Sequence, residues 1–169
     1  MNKLFFLIGA SGSGKTTAIK ELEKEAQDIF VLHFDSIGVP SFETMIKEFG
    51  SIDEWQRVKT LEWTKRVAKE YLHQKNVILD SQTRPSFIEE ACEKAGVTNF
   101  SVILFDCTDE ERRNRLEKRG QPELADENMM NWAKYLRERC VEKGYCTILD
   151  NTPVSLKETV SKLKSLVQE

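Results

Sequence analysis

The sequence predicts an α/β fold, a parallel sheet covered by helices on both faces. Short apolar runs alternate with helical patterns along the whole chain, as in a sheet built from strand–helix–strand crossovers. The runs are continuously apolar rather than alternating, which marks strands buried on both faces. A glycine-rich turn stands where the first run gives way to the first helix.

Taken in order, Leu4–Ile8 reads as the first strand and ends at Gly9. Lys15–Ala26 follows as a helix, with Ile19, Leu22 and Ala26 at helical spacing. Ile29–Phe34, Asn76–Leu79, Phe100–Phe105 and Tyr145–Leu149 are the remaining strands. Phe87, Ile88, Ala91, Cys92 and Ala95 mark a helix ending at Gly96. Met129, Ala133, Leu136 and Cys140 mark another, ending at Gly144. Leu156, Val160, Leu163 and Val167 lie on the terminal helix. Ser51/Glu54, Thr108/Glu111 and Ser155/Glu158 are capping boxes, in which side chains bond the orphan N–H groups of a helix start. Residues 36–75 break the alternation by inserting about two helices between the second and third strands. The second is long. Val58, Leu61, Ala68 and Leu72 lie on one side, and Trp55, Trp63, Val67 and Tyr71 add bulk. The segment reads either as a flap over a cleft or as extra core packing.

At 169 residues the chain is expected to form one domain, 1–169, with a self-sufficient core. Apolar residues at 40% and charged residues at 31% fit a globular protein. The net charge of −3 argues against a general nucleic-acid or membrane surface, but not against a local basic pocket. The apolar run after Lys3 is only five residues, too short for a signal peptide or a span. The four cysteines, Cys92, Cys107, Cys140 and Cys146, show no metal spacing. They read as reduced thiols in a cytoplasmic protein.

The strongest signal is Gly9-Ala10-Ser11-Gly12-Ser13-Gly14-Lys15-Thr16, followed by Thr17. It is G-x-x-x-x-G-K-[ST] between a predicted strand and a predicted helix, the Walker A context. Glycines let the backbone curl so that N–H groups point at phosphate oxygens. The helix aims its positive end at the same point. Lys15 adds a cation for the β- and γ-phosphates, and the Thr16 hydroxyl is a Mg²⁺ ligand. The motif thus predicts a nucleoside triphosphate with Mg²⁺.

No guanine-reading Asn-Lys-x-Asp occurs, and the third strand ends Leu79-Asp80-Ser81, without a water-polarising Glu. Transfer to a bound acceptor is therefore favoured over hydrolysis. Asp35 and Asp80 stand at the carboxyl ends of the second and third strands, the edge that faces the ligand in a doubly wound sheet. Either is a candidate base or Mg²⁺ carboxylate, with the water-mediated Mg²⁺ role favoured for Asp80. Arg84 is a candidate anchor for an anionic acceptor. Arg112, Arg115 and Arg119 share a helix face and are read as a short arginine lid over 112–125, closing on the phosphates.

These residues, in this order, resemble the small P-loop kinases. Those comprise the adenylate, shikimate, gluconate and polynucleotide kinase-like phosphotransferases and the AAA-type small ATP-binding kinases. The resemblance implies a three-layer P-loop fold with sheet order 2-3-1-4-5 and a helical acceptor-binding insertion at 36–75. It implies that residues Gly9 to Thr17 hold ATP and Mg²⁺ and that Asp35 is the strand-two base. Asp80 and Arg84 are similar to the ends of the nucleoside monophosphate kinases' Asp-Gly-Phe-Pro-Arg segment, whose Gly-Phe-Pro is absent here. Arg115 and Arg119 look like the lid pair, with Arg115 placed to stack on the base. Asp150-Asn151-Thr152-Pro153-Val154 looks like the adenine-contacting loop. The implied activity is transfer of the γ-phosphoryl group to a small-molecule or nucleotide acceptor by a monomer or homodimer. A regulatory nucleotide switch without an acceptor is the alternative, supported by Asp35-x-x-Gly38. A polynucleotide-end kinase is another. It needs a basic groove around Lys47, Arg57, Lys59, Lys65 and Arg66, and the interspersed Glu residues disfavour it.

Overall fold

The computed structural model describes residues 1–152 and 154–168. The strands are β1 (Leu4–Ile8), β2 (Ile29–His33), β3 (Asn76–Asp80), β4 (Phe100–Asp106) and β5 (Cys146–Asp150). The helices are α1 (Lys15–Glu25), α2 (Phe42–Phe49), α3 (Ile52–Glu70), α4 (Pro85–Ala95), α5 (Asp109–Lys118), α6 (Glu127–Val141) and α7 (Leu156–Gln168). Short 3₁₀ turns cover Phe34–Ile37 and Pro122–Leu124. The five strands form one sheet in the order β2-β3-β1-β4-β5. The β2–β3 and β4–β5 pairs are parallel, with Leu32 opposite Leu79 and Leu104 opposite Ile148. The strand order is the one the resemblance implies, in the α/β architecture that the alternation predicts.

The chain divides into two compact units. The first comprises residues 1–6 and 28–100. Here α3 packs on α4 and α2 on α3. Ser51 caps α3 by accepting the Glu54 N–H at 3.0 Å. Pro85 opens α4 at the position where a missing N–H costs nothing. The buried stripe of α3 is Trp55, Thr60, Trp63, Thr64 and Val67. That corrects the expected side: Val58, Leu61, Ala68 and Leu72 are only half-buried. The aromatic rings are core, and most of the polar atoms among them are bonded, Trp55 Nε1 being left without a hydrogen-bond partner among the described residues. Trp63 Nε1 donates to Phe34 O at 3.0 Å, and Thr60 Oγ1 sits 2.9 Å from Thr83 Oγ1. The Trp63 bond draws the Phe34 carbonyl to α3, so β2 ends at His33 rather than Phe34.

The second unit comprises residues 7–27 and 101–169. Here α1 packs on α7, and α6 and α7 pack on β5. Thr108 caps α5 by accepting the Glu111 N–H at 3.2 Å. Ser155 and Glu158 cap reciprocally at 3.3 and 2.9 Å. Asp126 caps α6 by accepting the Met129 N–H at 2.8 Å. Cys140 and Cys146 are joined by a disulfide, which corrects the expectation of reduced thiols for that pair. α6 ends at Val141, not at Gly144, so the short return to β5 brings the two Cα atoms within 5.1 Å. Cys92 and Cys107 are buried free thiols. No helix among the described residues is long and apolar enough to cross a membrane.

Candidate active site

The phosphate loop lies wholly in the second unit. Gly12 and Gly14 have φ of 80° and 87°, a left-handed backbone that only glycine adopts cheaply. Space is as restrictive as torsion. A Cβ on Gly12 would stand 3.0 Å from Arg112 Cγ, and one on Gly14 would stand 3.0 Å from Asn151 Nδ2. Gly14 is the N-cap of α1, so the loop ends at the helix's positive pole. Lys15 is buried at 7% exposure. Thr16 and Thr17 are exposed in the first turn.

Side chains from α5 and the end of β5 hold the loop from behind. Arg112 Nη1 donates to Ser11 O at 2.9 Å and to Ala10 O at 3.4 Å. Asn151 Nδ2 donates to Ser13 O at 2.7 Å, and Arg115 Nη1 donates to the same oxygen at 3.2 Å. Arg115 also donates to Asn151 Oδ1 at 2.8 Å and to Glu111 at 2.7 Å. Thr152 Oγ1 accepts the Thr108 N–H at 2.9 Å, tying the loop after β5 to the start of α5. The Thr152 N–H donates to Asp150 Oδ1 at 2.9 Å, which holds that carboxyl below its ordinary value of 3.8. Pro153 of the expected base-contacting loop lies outside the described residues.

A cleft of about 310 Å³ opens on the loop, within the range of small-molecule sites. It is lined by Gly12, Gly14, Thr17, Arg115, Arg119 and Asn151, with Val154 and Leu156 as apolar wall. The cleft thus gathers loop residues and both expected lid arginines. Arg112 departs from its expected role: it is fully buried, so it is no part of a mobile lid. Its Nη2 pairs with Asp106 Oδ1 at 3.0 Å. Asp106 is held in turn by Arg137, at 2.5 Å from Nε and 3.1 Å from Nη2. Sequence reasoning missed Asp106 and Arg137, and it placed Asn151 in the expected base-contacting loop without its bond to Ser13 O. The available signal was Leu116, the one apolar residue of α5, which stands four residues from Arg112 and marks that face as the buried one.

Asp35, Asp80 and Arg84 belong to the first unit. Asp35 is exposed in the 3₁₀ turn after β2, and its carbonyl accepts the Gly38 N–H at 3.0 Å. Asp80 ends β3, with Oδ2 3.1 Å from His33 Nδ1. His33 was not anticipated; the register that pairs it with Asp80 supplies the contact. Arg84 Nη2 donates to Asp53 Oδ1 at 2.8 Å and the guanidinium lies 5.9 Å from the Phe87 ring. Among the described residues no group of three or more His, Cys, Asp or Glu side chains is placed to hold a metal. A divalent ion at the loop would therefore depend on Thr16, phosphate oxygens and water. That donor set fits Mg²⁺, which keeps several waters and takes few protein ligands.

The AAA-domain family matches residues 6–131, and the chain belongs to that family. Among solved structures, a sugar kinase from Janibacter sp. HTCC2649 is similar over 99% of this chain and 95% of its own, with a TM-score of 0.71 at 18% identity. A gluconokinase from Sinorhizobium meliloti 1021 is similar over 98% of this chain and 94% of its own, with a TM-score of 0.69 at 15% identity. At these identities the likeness shows the fold alone, the one this chain shares with these two kinases. A sequence comparison with curated proteins finds no match.

Proposed function

We propose that this chain is a kinase that moves the γ-phosphoryl group of ATP to a hydroxyl of a small-molecule or nucleotide acceptor, with Mg²⁺. The observation that carries this reading is the cleft itself, where phosphate-loop residues and the arginines of α5 meet. The loop amides and Lys15 bind the β- and γ-phosphates. Arg115 and the loop of Asp150 to Val154, including Thr152, receive the base, and Arg119 closes over the phosphates. Thr16 would hold Mg²⁺, which offsets phosphate charge when bound; Asp80, the expected Mg²⁺ carboxylate, belongs to the first unit. Asp35 takes the acceptor's proton and Arg84 anchors the acceptor. As the acceptor oxygen bonds to the γ-phosphorus, the bond to the bridging oxygen breaks. ADP leaves with that electron pair, and no water is consumed.

A small acceptor is favoured over a polynucleotide by the charge pattern of α3. Arg57 pairs with Glu54 and with Glu90, Lys59 pairs with Glu62, and Arg66 pairs with Glu70. Three of the five cations a polynucleotide groove would use are thus already paired with carboxylates. Lys15→Ala should abolish phosphoryl transfer while circular dichroism shows the fold retained. Undiminished turnover in that variant rejects the reading.

A further inference from the structure

The carbonyls of the phosphate loop are claimed by groups behind it. Ala10 O accepts from the Ser13 N–H at 3.1 Å and from Arg112. Ser11 O accepts from Arg112 at 2.9 Å. Gly12 O faces the Cys107 thiol at 3.6 Å. Ser13 O accepts from Asn151 and Arg115. Every described peptide bond is trans. In a trans peptide the N–H points opposite to the carbonyl before it. Holding the carbonyls of Ala10, Ser11 and Ser13 on the α5 side therefore turns the amides of Ser11, Gly12 and Gly14 to the other side. Those are the donors an anion needs.

Arg112 holds two of these carbonyls. It is the largest fully buried side chain, and burying a guanidinium is costly unless its partners repay it. Its Nη atoms are spent on Ala10, Ser11, Cys107 O and Asp106, while its Nε has no partner among the described residues. A methionine would fill similar space without that cost, so packing alone does not account for the residue. Asp106 is fixed through both oxygens by Arg137 of α6.

We propose that Arg112 is a positioning residue for nucleotide binding. Oriented by Asp106 and Arg137, it turns the Ser11 and Gly12 amides toward the phosphates before the nucleotide arrives. The proposal rests on the nucleotide reading above, and its test separates the two.

The variants are Arg112→Lys, which keeps the charge but not the fork, and Arg112→Met, which keeps the bulk. Affinities for MgATP, inorganic tripolyphosphate and adenosine are measured well below the unfolding temperature. The expected result is at least about a tenfold loss of affinity for both phosphate ligands, the scale of a lost charged hydrogen bond. Adenosine affinity should change by less than about twofold, since Arg112 does not line the cleft. The lysine should not rescue, because one ammonium cannot span Ser11 O and Asp106. A purely structural arginine would lower the melting temperature and leave the phosphate affinities of the folded protein unchanged. That outcome, or an equal loss for adenosine, overturns the proposal. If both variants unfold, Asp106→Asn supplies the same comparison. If the parent protein binds neither phosphate ligand, the nucleotide reading falls. In that case ¹⁵N relaxation of the ligand-free loop decides: Ser11 and Gly12 amides rigid in the parent and mobile in Arg112→Lys uphold the positioning role, and equal order contradicts it.

Discussion

Gly14 joins the two constraints that make the phosphate loop, a left-handed torsion and a close neighbour. Gly14→Ala forces φ of +87° on a Cβ and brings it within 3.0 Å of Asn151 Nδ2 and 3.3 Å of Arg115 Nη1. The strain is about 1–3 kcal/mol, and relief by moving Asn151 releases Ser13 O. Calorimetry should show weakened MgATP binding with adenosine still bound. At Asp35 the expected effect is on chemistry. Asp35→Asn should lower kcat by about 10²- to 10⁴-fold while nucleotide affinity is kept, because a lost base removes a proton acceptor and no phosphate contact. Equal activity would move the base elsewhere. The loop was fully legible from its residues, because glycine torsion and helix polarity are local properties. Arg112 was not. Spacing puts Arg112, Arg115 and Arg119 on one side of α5, but does not say that this side turns inward at Arg112. Its partners Asp106 and Arg137 come from β4 and α6.

At the scale of elements, the link between α6 and β5 is the clearest departure from expectation. The Cys140–Cys146 bridge joins a helix end to a strand start with sequence separation 6, a spacing that belongs to no familiar motif. The other two thiols are held neutral: burial pushes Cys92 up to about 12 and raises Cys107 as well. Native protein should therefore show no fast-reacting thiol with an aromatic disulfide reagent, and unfolded protein should show two thiols without reductant and four after reduction. Four thiols in the unfolded, unreduced protein would deny the bridge. The turn after β5 carries a pH signature. Asp150 is depressed below its ordinary 3.8 by the Thr152 N–H, so its contribution is complete above that value and is lost as pH falls through the lower folded value. The Thr152 amide shift should titrate with a midpoint below 3.8; a midpoint at or above it contradicts the bond. Element order and caps were legible, since periodicity and Ser/Thr-x-x-Glu are local. The buried stripe of α3 was not. Its two buried threonines satisfy their hydroxyls with Gln56 O, Thr60 O and Thr83, which hydropathy cannot foresee.

At the scale of the whole molecule, a net charge of −3 coexists with a basic loop environment. Lys15, Arg112, Arg115 and Arg119 all lie in the second unit, behind or beside the loop. The charge average describes the surface, whereas the cleft is set by where a few side chains stand. Binding of a polynucleotide should accordingly be weak, because Arg57, Lys59 and Arg66 of α3 are paired with Glu. The central claim is phosphoryl transfer to a hydroxyl acceptor, and ³¹P NMR reads it directly. MgATP is incubated with the protein and a panel of sugars, sugar acids, amino alcohols and nucleosides, with Lys15→Ala as blank. The account predicts a phosphomonoester resonance and an equal amount of ADP with at least one acceptor, both absent in the blank. ADP and inorganic phosphate alone, or nucleotide bound and never turned over with any acceptor, would contradict it.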